Sequence, residues 1–242
     1  MVRGIFCGLF LFFTSASLEG DSMAHVITTR MEARYRSAKT LEATFLERYS
    51  ENGRLLRSES GTVYFRRPGK MRWEYEAPEK DLFLVDGKTA WFYVPADHTV
   101  TRVPAKQSTD FRTPMALLAG EMKVSRVCAK VELVSTEKAQ REGNLMLYCA
   151  LRGTPDDGSK HGCDPEASQH RRGEDAVFFE VVPESGELAR ILVRQSGGVQ
   201  VEFRFADWRY DPPLSASMFR FQVPPGVAIV NGDLPSDAPG SQ

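Results

Sequence analysis

His161, Cys163 and His170 fall within ten residues of one another and are the chain's densest group of potential metal ligands. Their spacing matches no standard zinc pattern, and the segment around them, 154–175, is polar, charged and rich in Gly and His. It reads as a solvated loop, so no metal and no cofactor is expected there. Glu74, Glu76 and Glu79 are spaced like an acid and base pair, but Glu74 and Glu76 share the wet side of an alternating segment. Solvated carboxylates are the better reading. The basic cluster Arg66, Arg67, Lys70 and Arg72 has two readings: exposed strand and turn, or one Arg at the rim of a cavity, bonding backbone carbonyls or a lid. There is no GxSxG, no HExxH, no phosphate-binding glycine loop and no nucleotide fingerprint. Nothing in this inventory makes an enzyme the expectation.

The start of the chain reads as an export signal spanning residues 1–17. Arg3 carries positive charge, Ile5 to Phe13 is apolar, and Ser15, Ala16 and Ser17 are the small residues of a cleavage site. Cys7 lies too early in the apolar run, behind a poor lipobox, to mark a lipoprotein. After removal, about 225 residues remain, enough for one large β domain or two small ones. A formal net charge of -1 argues against nucleic acid as a partner, because neutralising phosphates needs a basic surface. Cys128, Cys149 and Cys163 survive processing, and an oxidising compartment permits a bridge. Cys128 and Cys149 flank one expected strand and could pair; two separately buried thiols are the alternative.

What elements would position these residues? Ser22 to Lys39 has the period of a helix, with Ser22 as N-cap and Ile27, Met31, Tyr35 and Ala38 down one face. From Leu41 the period changes to two, punctuated by Asn52-Gly53, Asp86-Gly87, Gly143-Asn144, Ser185-Gly186 and Gly197-Gly198. Met71, Trp73 and Tyr75 alternate with Lys70, Arg72, Glu74 and Glu76. Val201, Phe203 and Phe205 alternate with Gln200, Glu202 and Arg204, and Phe219, Phe221 and Val223 with Arg220 and Gln222. About eleven strands follow, more than an open twisted sheet carries without curling. With only the first helix and a short Pro-initiated segment at Thr113 to Gly120 to cover the dry face, the expected fold is mainly β, a curved antiparallel sheet wrapped around its own apolar face.

Such a barrel can be packed solid or keep a cavity, and periodicity does not separate the two. Trp73, Trp91, Phe92, Phe203, Phe205 and Phe221 suit a core. They also suit an interior for acyl chains, which gain about 0.8 kcal/mol per buried methylene and need no polar partner. The residues after Asn231 are rich in Pro, Ser and Asp and read as a flexible tail over 231–242.

The order of motifs resembles the LolA family of outer-membrane lipoprotein carriers. GTVYFRRP from Gly61 to Pro68 is followed by Met71, Arg72 and Trp73, and then by LVDGKTAWFYVP from Leu84 to Pro95. TPMALLA, from Thr113 to Ala119, looks like that family's lid helix, and FRFQVPPGV, from Phe219 to Val227, like its C-terminal strand and turn. The likeness is dense from Gly61 to Ala119 and thin between Glu121 and Tyr210. The 154–175 loop is longer than the family's connection, and the mature cysteines are not part of its pattern.

The resemblance implies an unclosed antiparallel barrel over residues 18–230, with an N-terminal helix and a short helical lid above a hydrophobic cavity. It implies a periplasmic monomer carrying lipoprotein acyl chains from a LolCDE-type ABC exporter of the inner membrane to a LolB-type acceptor, if present, of the outer membrane. Arg67 matches the arginine that tethers the lid, Met71 lies near the mouth, and Met115, Leu117 and Leu118 are the lid side chains. Trp73, Trp91, Phe203 and Phe221 are the expected apolar lining. An alternative keeps the fold and changes the cargo or role, as an envelope sensor or a carrier of other lipids.

Overall fold

A computed structural model describes residues 16–105, 116–120, 123–152, 176–195 and 197–232 of the chain. Twelve strands hydrogen-bond into one sheet whose order, β12-β6-β5-β4-β3-β2-β1-β11-β10-β9-β8-β7, leaves β12 and β7 as free edges. The barrel is therefore unclosed. Its strands are β1 (Thr40–Glu51), β2 (Arg54–Arg66), β3 (Lys70–Ala77), β4 (Leu82–Val85), β5 (Thr89–Val94), β6 (Thr99–Pro104), β7 (Cys128–Leu133), β8 (Leu145–Leu151), β9 (Ala176–Val182), β10 (Glu187–Arg194), β11 (Val199–Tyr210) and β12 (Ala228–Asn231). The helices are α1 (Ala16–Arg36), α2 (Ala116–Ala119) and α3 (Val124–Val127).

Sequence-adjacent strands form hairpins from β1 to β6 and from β7 to β11, and each expected turn dipeptide sits in a connection between strands. The β1–β2 turn carries φ of 49° at Asn52 and 80° at Gly53, the pair of positive values that a tight hairpin needs. β1 and β11 then pair antiparallel, joining the two runs of hairpins. β12 is the twelfth strand and was not expected. It pairs parallel to β6, Ala228 opposite Thr99 through Asn231 opposite Arg102.

Alternation sets two faces. Leu41, Ala43 and Phe45 of β1, Val63 and Phe65 of β2, Met71, Trp73 and Tyr75 of β3, and Val201, Phe203 and Phe205 of β11 are all buried in one cluster with α1, so this is the inner face. Helix α1 contributes Ala24, Ile27, Met31 and Tyr35 to that cluster, the stripe that its four-residue spacing implies. Ser22 is not its N-cap: the helix starts at Ala16 and Ser22 lies within it. Close approach of α1 to the β9–β10 turn depends on Gly186, where a Cβ would stand 2.7 Å from the Arg30 carbonyl carbon. Arg34 adds bonds of 2.6 Å to both Glu187 and the Tyr210 hydroxyl. Cys128 and Cys149 form a disulfide between edge strand β7 and its neighbour β8. Cys163 lies outside the described residues.

The outer face is less wet than its charges suggest. Met146, Phe178 and Leu192 form a second apolar cluster there, and Arg190, Glu180 and Glu202 are buried beside it. Arg190 donates to Glu180 at 2.8 Å, to Glu202 at 3.1 Å and to the Lys138 carbonyl at 2.7 Å. Glu180 also accepts from the Gln140 and Arg141 backbone N–H groups and from the Asn144 side chain. The β7–β8 connection thus seals this network, and Glu202, expected on a solvated face, is one of its buried members.

After β11 the chain crosses the outer face as a strap. Asp211 accepts from the Lys39 N–H, Arg66 donates to the Leu214 carbonyl at 2.7 Å, and Arg72 donates to the Met218 carbonyl at 3.1 Å. The expected strand through Phe219, Phe221 and Val223 is absent: a 3-10 helix, Ala216–Phe219, is followed by irregular chain up to β12. Here arginine side chains, not a neighbouring strand, take the backbone carbonyls.

Candidate functional site

The inner face gathers its aromatic residues around Trp73, which is 0% exposed. The register explains the convergence: Trp73 lies opposite Val63 on β2 and Phe83 on β4, and Phe45 on β1 lies opposite Phe205 on β11. Ring centroids stand 4.8 Å from Trp73 to Phe45, 5.3 Å to Phe203, 6.2 Å to Phe65 and 6.3 Å to Phe205, mostly edge to face. Such rings provide the largest apolar contact area per residue and pack best in offset or T-shaped pairs.

Polar groups interrupt this surface: Glu59 of β2 is buried opposite Glu47 of β1 and pairs with Arg57 at 2.9 Å. Glu47, at an inner position of β1, is buried and accepts a 2.7 Å bond from the Tyr75 hydroxyl. Alternation marks Glu47 as inward, between Phe45 and Tyr49, yet its charge alone suggests solvent. The Trp73 indole N–H is also buried, without a hydrogen-bond partner among the described residues.

The β2–β3 turn holds two covering elements. The Gly69 N–H donates to the Ala119 carbonyl at 2.8 Å, fastening α2, and Leu118 and Ala119 are buried in the inner cluster. Arg67 reaches the other way. Its Nη1 donates to the Arg36 carbonyl at 2.8 Å and to the Ala38 carbonyl at 2.7 Å, at the C-terminal end of α1 where backbone acceptors lack helical partners. Its Nε and Nη2 are buried without partners among the described residues. Burial holds the guanidinium pKa below its ordinary value; nearby Asp211 opposes this and Arg36 adds to it.

These features form a packed apolar inner face under fastened covers, with no set of reactive groups among the described residues. A sequence profile described as "Outer membrane lipoprotein carrier protein LolA" matches residues 36–147. A protein of Xanthomonas axonopodis pv. citri named outer-membrane lipoprotein carrier protein is 30% identical over 200 residues, covering 81% of this chain and 83% of its own. The chain belongs to the LolA family. A protein of the same name from Chromobacterium violaceum is 29% identical over 219 residues, covering 90% of this chain and 94% of that one. A solved LolA superfamily protein from Nitrosomonas europaea superposes with a TM-score of 0.43 at 13% identity, covering 82% of this chain and 97% of that one.

Within this LolA-family chain, Met71, Trp73, Leu118 and Phe203 converge on the inner cluster. Trp91 and Phe221 do not. They stack on each other at 5.2 Å on the outer face, because Ala90 and Phe92 take the inward positions of β5. Phe221 belongs to the strap and Trp91 lies against it, so the expectation that they line the interior is corrected. Met115 and the Leu117 side chain lie outside the described residues, as do His161, Cys163 and His170. Among the described residues no group of His, Cys, Asp and Glu is arranged to hold a metal, and no helix is long and apolar enough to cross a membrane.

Proposed function

We propose that this LolA-family chain is a periplasmic carrier that takes up the acyl chains of lipoproteins released from the inner membrane and delivers them to the outer membrane. The observation that carries the reading is the aromatic-rich apolar inner face around Trp73, Phe45 and Phe203, covered by α1 and by Leu118 and Ala119 of α2. An acyl chain leaving a membrane exposes methylenes at about 0.8 kcal/mol each, so transit through water needs such a shelter. Residues 1–17 are the export signal in this reading, the barrel spans 18–230, and 231–242 form the tail, although β12 extends to Asn231.

The inner rings touch one another, so loading requires the covers to move. The β2–β3 turn holds α2 by one backbone bond from Gly69 and the end of α1 by the Arg67 side chain. Arg34 also ties α1 to Glu187 and Tyr210, so α2 is the cover that moves at lower cost. Bonds from a charged group contribute about 1.5 to 3 kcal/mol each. Arg67, whose Nε and Nη2 have no partner among the described residues, is the gate residue; Met71, Trp73, Phe203 and Leu118 line the interior, and Met115 and Leu117 complete the lid. Cargo arrives from a LolCDE-type exporter and passes to a LolB-type acceptor where one exists. The protein works as a monomer, without cofactor and without catalysis.

The test is release from spheroplasts. Purified mature protein is expected to bring lipoproteins of the inner membrane into the soluble fraction; extraction of free phospholipid alone, or of nothing, overturns the reading.

A further inference from the structure

Of the three tryptophans, two have a partner for the indole N–H. Trp91 Nε1 donates to Asp86 at 3.2 Å on the outer face, and Trp208 Nε1 donates to the Leu188 carbonyl at 2.9 Å. Trp73 Nε1 has none among the described residues, although Trp73 is the most enclosed of the three. Buried donors are nearly always satisfied, because a lost bond to water is not otherwise replaced. An indole ringed by Phe45, Phe65, Phe203 and Phe205 therefore leaves one directional donor free among aromatic rings, whereas the Tyr75 hydroxyl on the same face is already bonded to Glu47.

We propose that the Trp73 indole N–H is an anchor for the carbonyl oxygen of a bound acyl ester or amide. The proposal rests on the carrier reading and adds a polar determinant to it. A neutral carbonyl fits better than a fatty-acid carboxylate. A carboxylate would carry a full charge into an aromatic region where a single N–H donor is small compensation, whereas a carbonyl oxygen needs only that one bond. An acyl chain held only by apolar contact can slide along the inner face. One held also at its carbonyl has a set depth, which fixes how far the rest of the cargo protrudes.

The probes are a 1-monoacylglycerol and the 1-O-alkylglycerol of matching chain length, which share chain and head group and differ in the carbonyl. Indole cross-peaks of the 15N-tryptophan-labelled mature protein report the contact, with the Trp73 peak assigned by its loss in Trp73→Phe. The ester is expected to move the Trp73 peak downfield and the ether not, while the Trp91 and Trp208 peaks stay in place. Affinity for the ester should exceed that for the ether by roughly two- to tenfold, the range of one net hydrogen bond, and the ratio should fall to about one in Trp73→Phe. Equal movement with both probes, or a ratio that survives Trp73→Phe, overturns the anchor and leaves the carrier reading standing. Binding of neither probe overturns the carrier reading and the anchor with it. If Trp73→Phe does not fold, the wild-type peaks, assigned through Trp91→Phe and Trp208→Phe, still decide.

Discussion

Arg67 and Gly69 bind opposite covers of the same interior: Arg67 Nη1 holds the Arg36 and Ala38 carbonyls at the end of α1, and the Gly69 N–H holds the Ala119 carbonyl of α2 at 2.8 Å. A displacement of the β2–β3 turn therefore loosens both covers at once. On the proposed carrier reading, this coupling makes the turn the expected place for opening to begin.

Arg67→Leu should lower stability by about 1.5 to 3 kcal/mol through loss of the bonds to α1, without unfolding the chain. It should also slow uptake and hand-over of lipoprotein. Urea titration and the spheroplast assay check the two effects; an unchanged midpoint with normal transfer would remove Arg67 from the gate.

Gly61→Ala should be far worse than its size suggests. A Cβ at Gly61 would lie 1.9 Å from the Glu74 carbonyl oxygen on the paired strand, and backbone on both sides leaves little room to shift. Gly53→Ala, in a turn with nothing within 4 Å of the new atom, should cost only the strain of its φ of 80°, about 1 kcal/mol. Comparable melting temperatures for the two variants would contradict the β2–β3 register.

Stability should fall in acid through Glu180. Burial pushes its carboxyl pKa up, but the Gln140 and Arg141 N–H groups, Asn144 and Arg190 together outweigh burial and hold it below the ordinary value. A carboxyl whose pKa is lower folded than unfolded adds stability that is complete above the unfolded value of about 4.3 and is lost as pH drops through the folded value. Glu180→Gln should cost about 3 to 5 kcal/mol at neutral pH, because it leaves Arg190 buried with a broken partner, and should flatten the acid side of the stability profile. Thermal melts from pH 7 to pH 3 provide the comparison; parallel profiles would exclude Glu180 as the group responsible.

Reducing the Cys128–Cys149 bridge, or replacing both residues with Ser, should lower stability by about 3 kcal/mol, as expected for a closed loop of 21 residues. The loss should concentrate at edge strand β7. Hydrogen exchange in β7 and β8, with and without reductant, is the direct check, and unchanged protection would mean that neighbouring contacts suffice.

Much of the barrel was legible because one face is dry. Met71, Trp73 and Tyr75 alternate cleanly with charged residues and were placed on their face from periodicity alone. Legibility ended where charge was equated with solvent. Glu47, Glu180, Arg190 and Glu202 are buried because the β7–β8 connection or facing side chains satisfy them, and such partners are distant in sequence. Trp91 shows a second limit. Aromatic content suggested lining, but in the adjacent pair Trp91-Phe92 only one ring can face inward, and parity with Ala90 selects Phe92. The strap fooled periodicity for a related reason, since Phe219 and Phe221 alternate like strand residues while Arg66 and Arg72 hold the nearby backbone.

The central claim is that the inner face recognises acyl chains, and the most direct measurement is a binding titration of the mature protein. The ligand is one lipoprotein in its acylated form, compared with the same polypeptide bearing Ser in place of the acylated Cys. The account predicts a one-to-one complex with the acylated form and binding weaker by at least about a hundredfold without the chains, a modest share of what burying a dozen methylenes provides. Equal affinity for the two forms would contradict it.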